Sequence, residues 1–474
     1  METMYLKNLS YEEKHNLATD VKTPAKILAV LAQDIDPRIR EAVAWNENTP
    51  VETLVMLAKD GDETRYAVAQ ANVPEEVLIQ LASDDYLKVR CAVASNFNTP
   101  PFILATLAKD EDIRVRSAVA ENKNTLAEVL AMLAEDESEV VRASVAWNKN
   151  TSADILAMLA KDEDDDVRLA VAWNRNTSAN VLAMLAKDED RDVRSKVATN
   201  ENTSADTLAM LASDKICWVR SDVARNKNTP IEILTVLAQD ENQSVREQVA
   251  LNENTTADVL AMLAKDENRD VHNAVARNKN TPIEILTVLA QDENWSVREQ
   301  VALNESTTTE LLAVLAQDDD VRVRWVVANN RNTPVNVLAM LAKDEENDVR
   351  IEVALNENAP VDVLAMLAHD EDRDVRSEVA ANGNTSVDVL VMLATDEDYH
   401  VREAVAENKN TPANILTMLA QDKDADVRYE VTKNPHTPYN TLIMLTKDKN
   451  VLISETAEEA LKECKEKGKT RIER

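Results

Sequence analysis

The stretch Asn46-Glu-Asn-Thr-Pro-Val-Glu-Thr-Leu-Val-Met-Leu-Ala-Lys-Asp60 decides the fold, because its parts return along almost the whole chain. Aligned on the Leu-Ala pair, Leu31, Leu57, Leu81, Leu107, Leu133, Leu159, Leu185 and Leu211, and so on to Leu445, stand 26 residues apart, with one interval of 24 between Leu57 and Leu81. A unit that short cannot bury its own apolar face, so the units must stack on one another. The equivalent stretch Asn228-Thr-Pro-Ile-Glu-Ile-Leu-Thr-Val-Leu-Ala-Gln-Asp240 shows the local code. Thr49 or Thr229 suits a helix N-cap, Pro50 or Pro230 the first helical position, and Glu52 or Glu232 completes a capping box. The apolar positions Leu54, Leu57 and Ala58 follow helical spacing and define one buried stripe.

A second helix opens at Asp36-Pro37 and runs through Ile39, Val43 and Trp45 to Asn46. Asn46 and its equivalents Asn96, Asn122, Asn148 and Asn174 are expected to stop that helix in the left-handed conformation, which asparagine tolerates. Each repeat therefore reads as a pair of helices of two to three turns.

Composition agrees. With 3 Gly and 3% aromatic residues in 474, the chain lacks the material of strands and tight β-turns. The expected fold class is all-α: a right-handed α-α superhelical solenoid of about seventeen 26-residue two-helix repeats. Three regions are expected: an N-terminal half-repeat cap at 1–22, tandem repeats over 23–450, and a C-terminal capping helix with a charged tail at 451–474. In the first, Lys14 stands at the Arg40 position. Residues 225–256 and 277–308 differ only at Gln243/Trp295 and Asn254/Ser306, the mark of a duplicated two-repeat block.

The string Leu-x-x-Leu-Ala-x-Asp-x-Asp-x-x-Val-Arg-x-x-Val-Ala-x-Asn-x-x-Thr-Pro resembles the leucine-rich repeat variant (LRV) family, and its Asp-x-Asp-x-x-Val-Arg core is similar to HEAT repeats of the ARM-type fold. The resemblance covers nearly the whole chain. It implies a right-handed superhelix of short stacked helices, with room for one helix per repeat to be 3₁₀ and with the second helix lining a concave face. The period here is longer than the usual LRV unit, which favours two α-helices. The N-terminus lacks the cysteine cluster that holds an iron–sulfur centre in one LRV protein, so no cluster is carried over.

Two columns run down the repeats. An Asp closes the first helix in all seventeen units, from Asp34 to Asp448, and an Arg follows six residues later, or five in the short unit, in fifteen of them; His272 and Ser454 are the exceptions. No catalyst needs the same pair fifteen times. A stacked array needs the same turn locked in each layer, and carboxylate–guanidinium hydrogen bonds supply that. Eleven of thirteen Met share a second column, Met56 and Met132 among them, and are expected to pack between repeats. The acidic turn Asp162-Glu-Asp-Asp-Asp166 lacks the glycine and distant glutamate of a calcium loop and reads as a solvated helix start.

Catalytic, cofactor and metal residues are each expected to be none. His15, His272, His369, His400 and His436 lie in separate repeats, Cys91, Cys217 and Cys464 are far apart, and no phosphate loop or nucleophile motif appears. The net charge of −33 opposes nucleic acid and anionic membranes as partners. With no apolar leader or long apolar span, the expected compartment is the cytoplasm. The expected function is a non-enzymatic protein–protein interaction scaffold using an extended acidic surface, with one or more proteins as partners. The alternative is an acidic nucleic-acid-mimicking decoy that binds a basic protein. A helical-wheel reading places Trp147, Leu169 and Trp173 on the outward side of neighbouring second helices, and Leu303, Trp325, Ile351 and Leu355 in a second apolar run; these seven are the candidate partner-binding residues.

Overall fold

A computed structural model describes residue 6 and residues 9–466. Thirty-five α-helices and no strand occur among the described residues. Seven-residue first helices such as Ala153–Leu159 alternate with nine-residue second helices such as Asp165–Trp173. Both are α-helical, as the longer period suggested. The chain divides into two compact units, Met1–Leu237 and Ala238–Arg474.

The same layer repeats within each unit. Leu156, Leu159, Val167 and Val171 are buried in the first, and Leu338, Leu341, Val349 and Val353 in the second. Consecutive second helices pack directly against one another along each unit. At the start of the first unit, Tyr11–Thr19 packs against Pro37–Trp45, and the Lys14 ammonium meets Asp34 at 2.8 Å. In the second unit, Val451–Glu466 packs against Ala425–Lys433 and Tyr439–Leu445. The tail 469–474 and the side chain of Cys464 lie outside the described residues.

Four local readings are corrected. Thr49 does not cap the first helix: Pro50 occupies the N-cap with no side-chain hydrogen bond, and the Thr49 hydroxyl donates back to Val43 O at 2.6 Å. Where Ser replaces that proline it can cap, as Ser152 accepts from the Ile155 N–H, whereas Ser178 makes no such bond. Asn174 is extended, with φ −67° and ψ 129°, rather than left-handed. Its amide needs that geometry to reach the preceding layer, where Nδ2 donates to Ala146 O (2.6 Å) and Asn148 O (3.0 Å).

The aspartate–arginine column pairs between layers, not within one. The Arg168 guanidinium donates from Nη1 to the Asp162 and Glu163 carbonyls of its own turn, both at 2.9 Å, and forks onto the Asp188 carboxylate of the next layer at 2.7 and 3.0 Å. Lastly, Met132, Met158 and Met184 stay 40–42% exposed, so the methionine column forms a surface stripe rather than a seam between repeats.

Candidate partner-binding surface

Rigid presentation of surface side chains begins with the buried clamps. Layer boundaries within a unit are crossed forward by a guanidinium fork, except where Lys14 and His272 stand in for the arginine, and, except where Ala71 replaces the asparagine, backward by an asparagine amide. Charge on these forks is held firmly. Burial pushes the Asp162 carboxyl up, but hydrogen bonds from Arg142 and the Asp164 N–H outweigh it and leave the group below the ordinary aspartate range. The same balance holds at Asp136 and Asp214.

On this frame the outward side of the second helices shows its side chains in register. Trp147 and Trp173, 45% and 50% exposed, end adjacent second helices, and their rings meet with centroids 5.2 Å apart, tilted by 56°. Leu169 is half-buried one turn before Trp173. The structure thus brings the two tryptophans of the first candidate patch into contact.

The second candidate run lies on Trp295–Leu303, Val321–Asn329 and Asn347–Leu355. Leu303, Trp325 and Leu355 are exposed and Ile351 is half-buried. Leu355 borders a shallow depression with Asn329, Arg331 and Glu352, in which Trp325 takes no part. Its surroundings are acidic. Burial raises the Glu352 carboxyl, and burial together with Asp374 and Glu352 raises that of Glu378.

Sequence reasoning passed over several surface groups. Arg322 lies 3.3 Å above the Trp295 ring and Arg191 4.8 Å from that of Trp218, both cation–π contacts. It also passed over the residue that follows each C-cap asparagine, which includes Lys123, Lys149 and Arg175. The signal was present in the alternating charge of that column, but the column falls outside both helices, where a periodicity search has no template.

Two segments of the second unit, residues 348–372 and 399–424, match the model of the leucine rich repeat variant family. A solved structure described as a leucine-rich repeat variant with a novel repetitive structural motif is similar over 47% of this chain and 87% of its own, at 26% identity and a TM-score of 0.37. A structure reporting Kap95p binding to RanGDP covers 96% of this chain and 67% of its own at 11% identity (TM-score 0.36). One of importin beta in an ammonium sulfate condition covers 97% and 69% at 13% identity (TM-score 0.30). No curated protein matches the sequence. Among the described residues no helix is long and apolar enough to cross a membrane, and no group of three His, Cys, Asp or Glu side chains is placed to hold a metal ion.

Proposed function

We propose that this chain is a non-enzymatic protein-interaction scaffold of the cytoplasm, its stacked layers finished by end caps at 1–22 and 451–474. One observation carries the reading: the contact pair Trp147 and Trp173, half exposed on a frame whose buried clamps are complete without it. Tryptophan left at the surface costs solvation and is the residue most enriched among interface hot spots. Because each ring is set by a second helix clamped on both sides, little ordering entropy remains to oppose binding.

The test is capture of partners from the source cell by the intact protein and by Trp147→Ala with Trp173→Ala, at low and high salt. Loss of capture with a melting temperature within a few degrees supports the reading; retained capture, or early unfolding, removes the site. The net charge of −33 favours a second reading, an acidic decoy for a basic protein. It requires that capture vanish at high salt and be indifferent to the tryptophans.

A further inference from the structure

The residue that follows each C-cap asparagine forms a rim whose backbone is held in register. Asn150 Nδ2 donates to Lys123 O, Asn176 to Lys149 O and Asn202 to Arg175 O, each at 2.6 Å, and Asn228 donates to Glu201 O at 2.7 Å. Rim side chains of successive layers reach one another. Lys227 pairs with Glu201 at 3.0 Å, and in the second unit Lys279 pairs with Glu253 at 2.9 Å. The sequence exploits that reach by alternating sign, as Glu201, Lys227, Glu253, Lys279, Glu305, Arg331 and Glu357.

Lys123, Lys149 and Arg175 break the alternation with three cations in a row. Neighbours close enough to pair are close enough to repel. Within the structure the repulsion is poorly answered. The Lys123 ammonium lies 5.7 Å from the Phe97 ring, and Lys149, Arg175 and the nearby Lys196 have no ion pair among the described residues. Glu201, the next rim acid, is engaged first by Lys227, whose hydrogen bond is the main cause of its lowered pKa, and gives Arg175 only a lesser Coulombic attraction. Glu121, at the other edge, accepts from Ser144 at 3.2 Å. These cations flank the tryptophan pair, and a shallow depression is lined jointly by Trp173, Arg175, Lys196, Thr199 and Glu201.

We propose that Lys123, Lys149, Arg175 and Lys196, together with Trp147 and Trp173, dock an acidic peptide segment of a partner protein. Its carboxylates would answer the unpaired cations, and an apolar side chain would lie on the indole rings. The inference rests on the scaffold reading and adds the partner's chemistry. Charge complementarity selects the occupant: the patch is cationic on a chain of net charge −33, and it is bounded by Glu121 and Glu201. A short run of carboxylates meets the cations alone. A nucleic acid strand would carry its further phosphates over the acidic layers on either side, and a second copy of the chain would bring its own −33.

The experiment uses the full chain and a fluorescein-labelled peptide alternating Glu with Leu and Phe, read by anisotropy. Comparators are the same peptide with Lys for Glu, and a single-stranded oligothymidylate; sedimentation without probe reports self-association. The acidic peptide should bind, and Lys149→Glu with Arg175→Glu should weaken it by about tenfold or more while leaving the thermal melt in place. Lys409→Glu, at the equivalent rim position of the second unit, should change nothing. Equal binding of the Lys peptide, stronger binding of the oligothymidylate, self-association lost on charge reversal, or indifference to reversal would each overturn the proposal. If Trp147→Ala with Trp173→Ala releases the peptide and charge reversal does not, the tryptophan surface stands and only the acidic preference falls.

Discussion

Arg194→Met removes one fork and leaves its carboxylate behind. The Arg194 side chain is 7% exposed and that of Asp214 8%; Nε and Nη2 reach the carboxylate at 2.6 and 3.2 Å, while Nη1 donates to the Asp188 and Glu189 carbonyls at 2.8 and 3.0 Å. Methionine keeps the apolar stem but none of these bonds, and Asp214 retains the Ile216 N–H at 2.9 Å. Breaking a buried pair from one side costs about 3–5 kcal/mol, whereas Lys187→Ala at an exposed position should cost less than about 0.5 kcal/mol. Adding Asp214→Asn to Arg194→Met should recover part of the loss, since no uncompensated charge then remains. Urea unfolding by circular dichroism measures the total, and amide exchange in Arg191–Thr199 and Ala205–Leu211 locates it. Equal midpoints for Arg194→Met and Lys187→Ala would show that the forks do not hold the layers together. Acid should act in the same direction: the Asp214 carboxyl lies below its ordinary value when folded, so its stabilisation is complete above the ordinary aspartate pKa and is lost as pH falls through the lowered one.

His272 occupies the arginine position of its layer, holds Asp292 through Nδ1 at 2.7 Å and leaves Nε2 buried without a hydrogen bond. His272→Arg should therefore stabilise the second unit by about 1–2 kcal/mol, seen as a higher urea midpoint, and a lower midpoint would refute the fork as the preferred occupant. Glu378→Gln should raise the melting temperature at neutral pH. Its carboxyl is raised in the folded state by burial and by Asp374 and Glu352, so the ionised form opposes folding once pH exceeds the ordinary glutamate value. The advantage should disappear in acid, and an advantage independent of pH would contradict the electrostatic cause.

Periodicity made the helix pair, the buried stripes and the paired columns legible, because each is a one-dimensional pattern. Contacts between layers were less accessible. Asp162 precedes Arg168 by six residues and Asp188 follows it by twenty, and spacing alone cannot rank the two partners. The Thr-Pro-x-Glu string satisfies a capping motif, yet the hydroxyl of Thr229 finds Val223 O in the helix before it. Asparagine at a helix end suggests αL, but the nearby carbonyls of the preceding layer offer Asn174 two acceptors and favour the extended state. The tryptophan pair was legible because it sits on a regular helix, and its cationic border was not because it sits just beyond one.

The clamps point in opposite directions: each guanidinium reaches forward one layer, each asparagine amide back one. Within each unit most boundaries are therefore riveted by both of their neighbours through groups that recur with the period. Insertion or removal of whole periods leaves each rivet a matching hole, so the array behaves as a one-dimensional lattice whose length is a free variable. The 52-residue offset between residues 225–256 and 277–308 fits growth in that unit, and Ser306, where the copy lost asparagine, still donates its hydroxyl to Lys279 O at 3.1 Å. Reach along the surface can thus be lengthened by copying, with no new interface to invent.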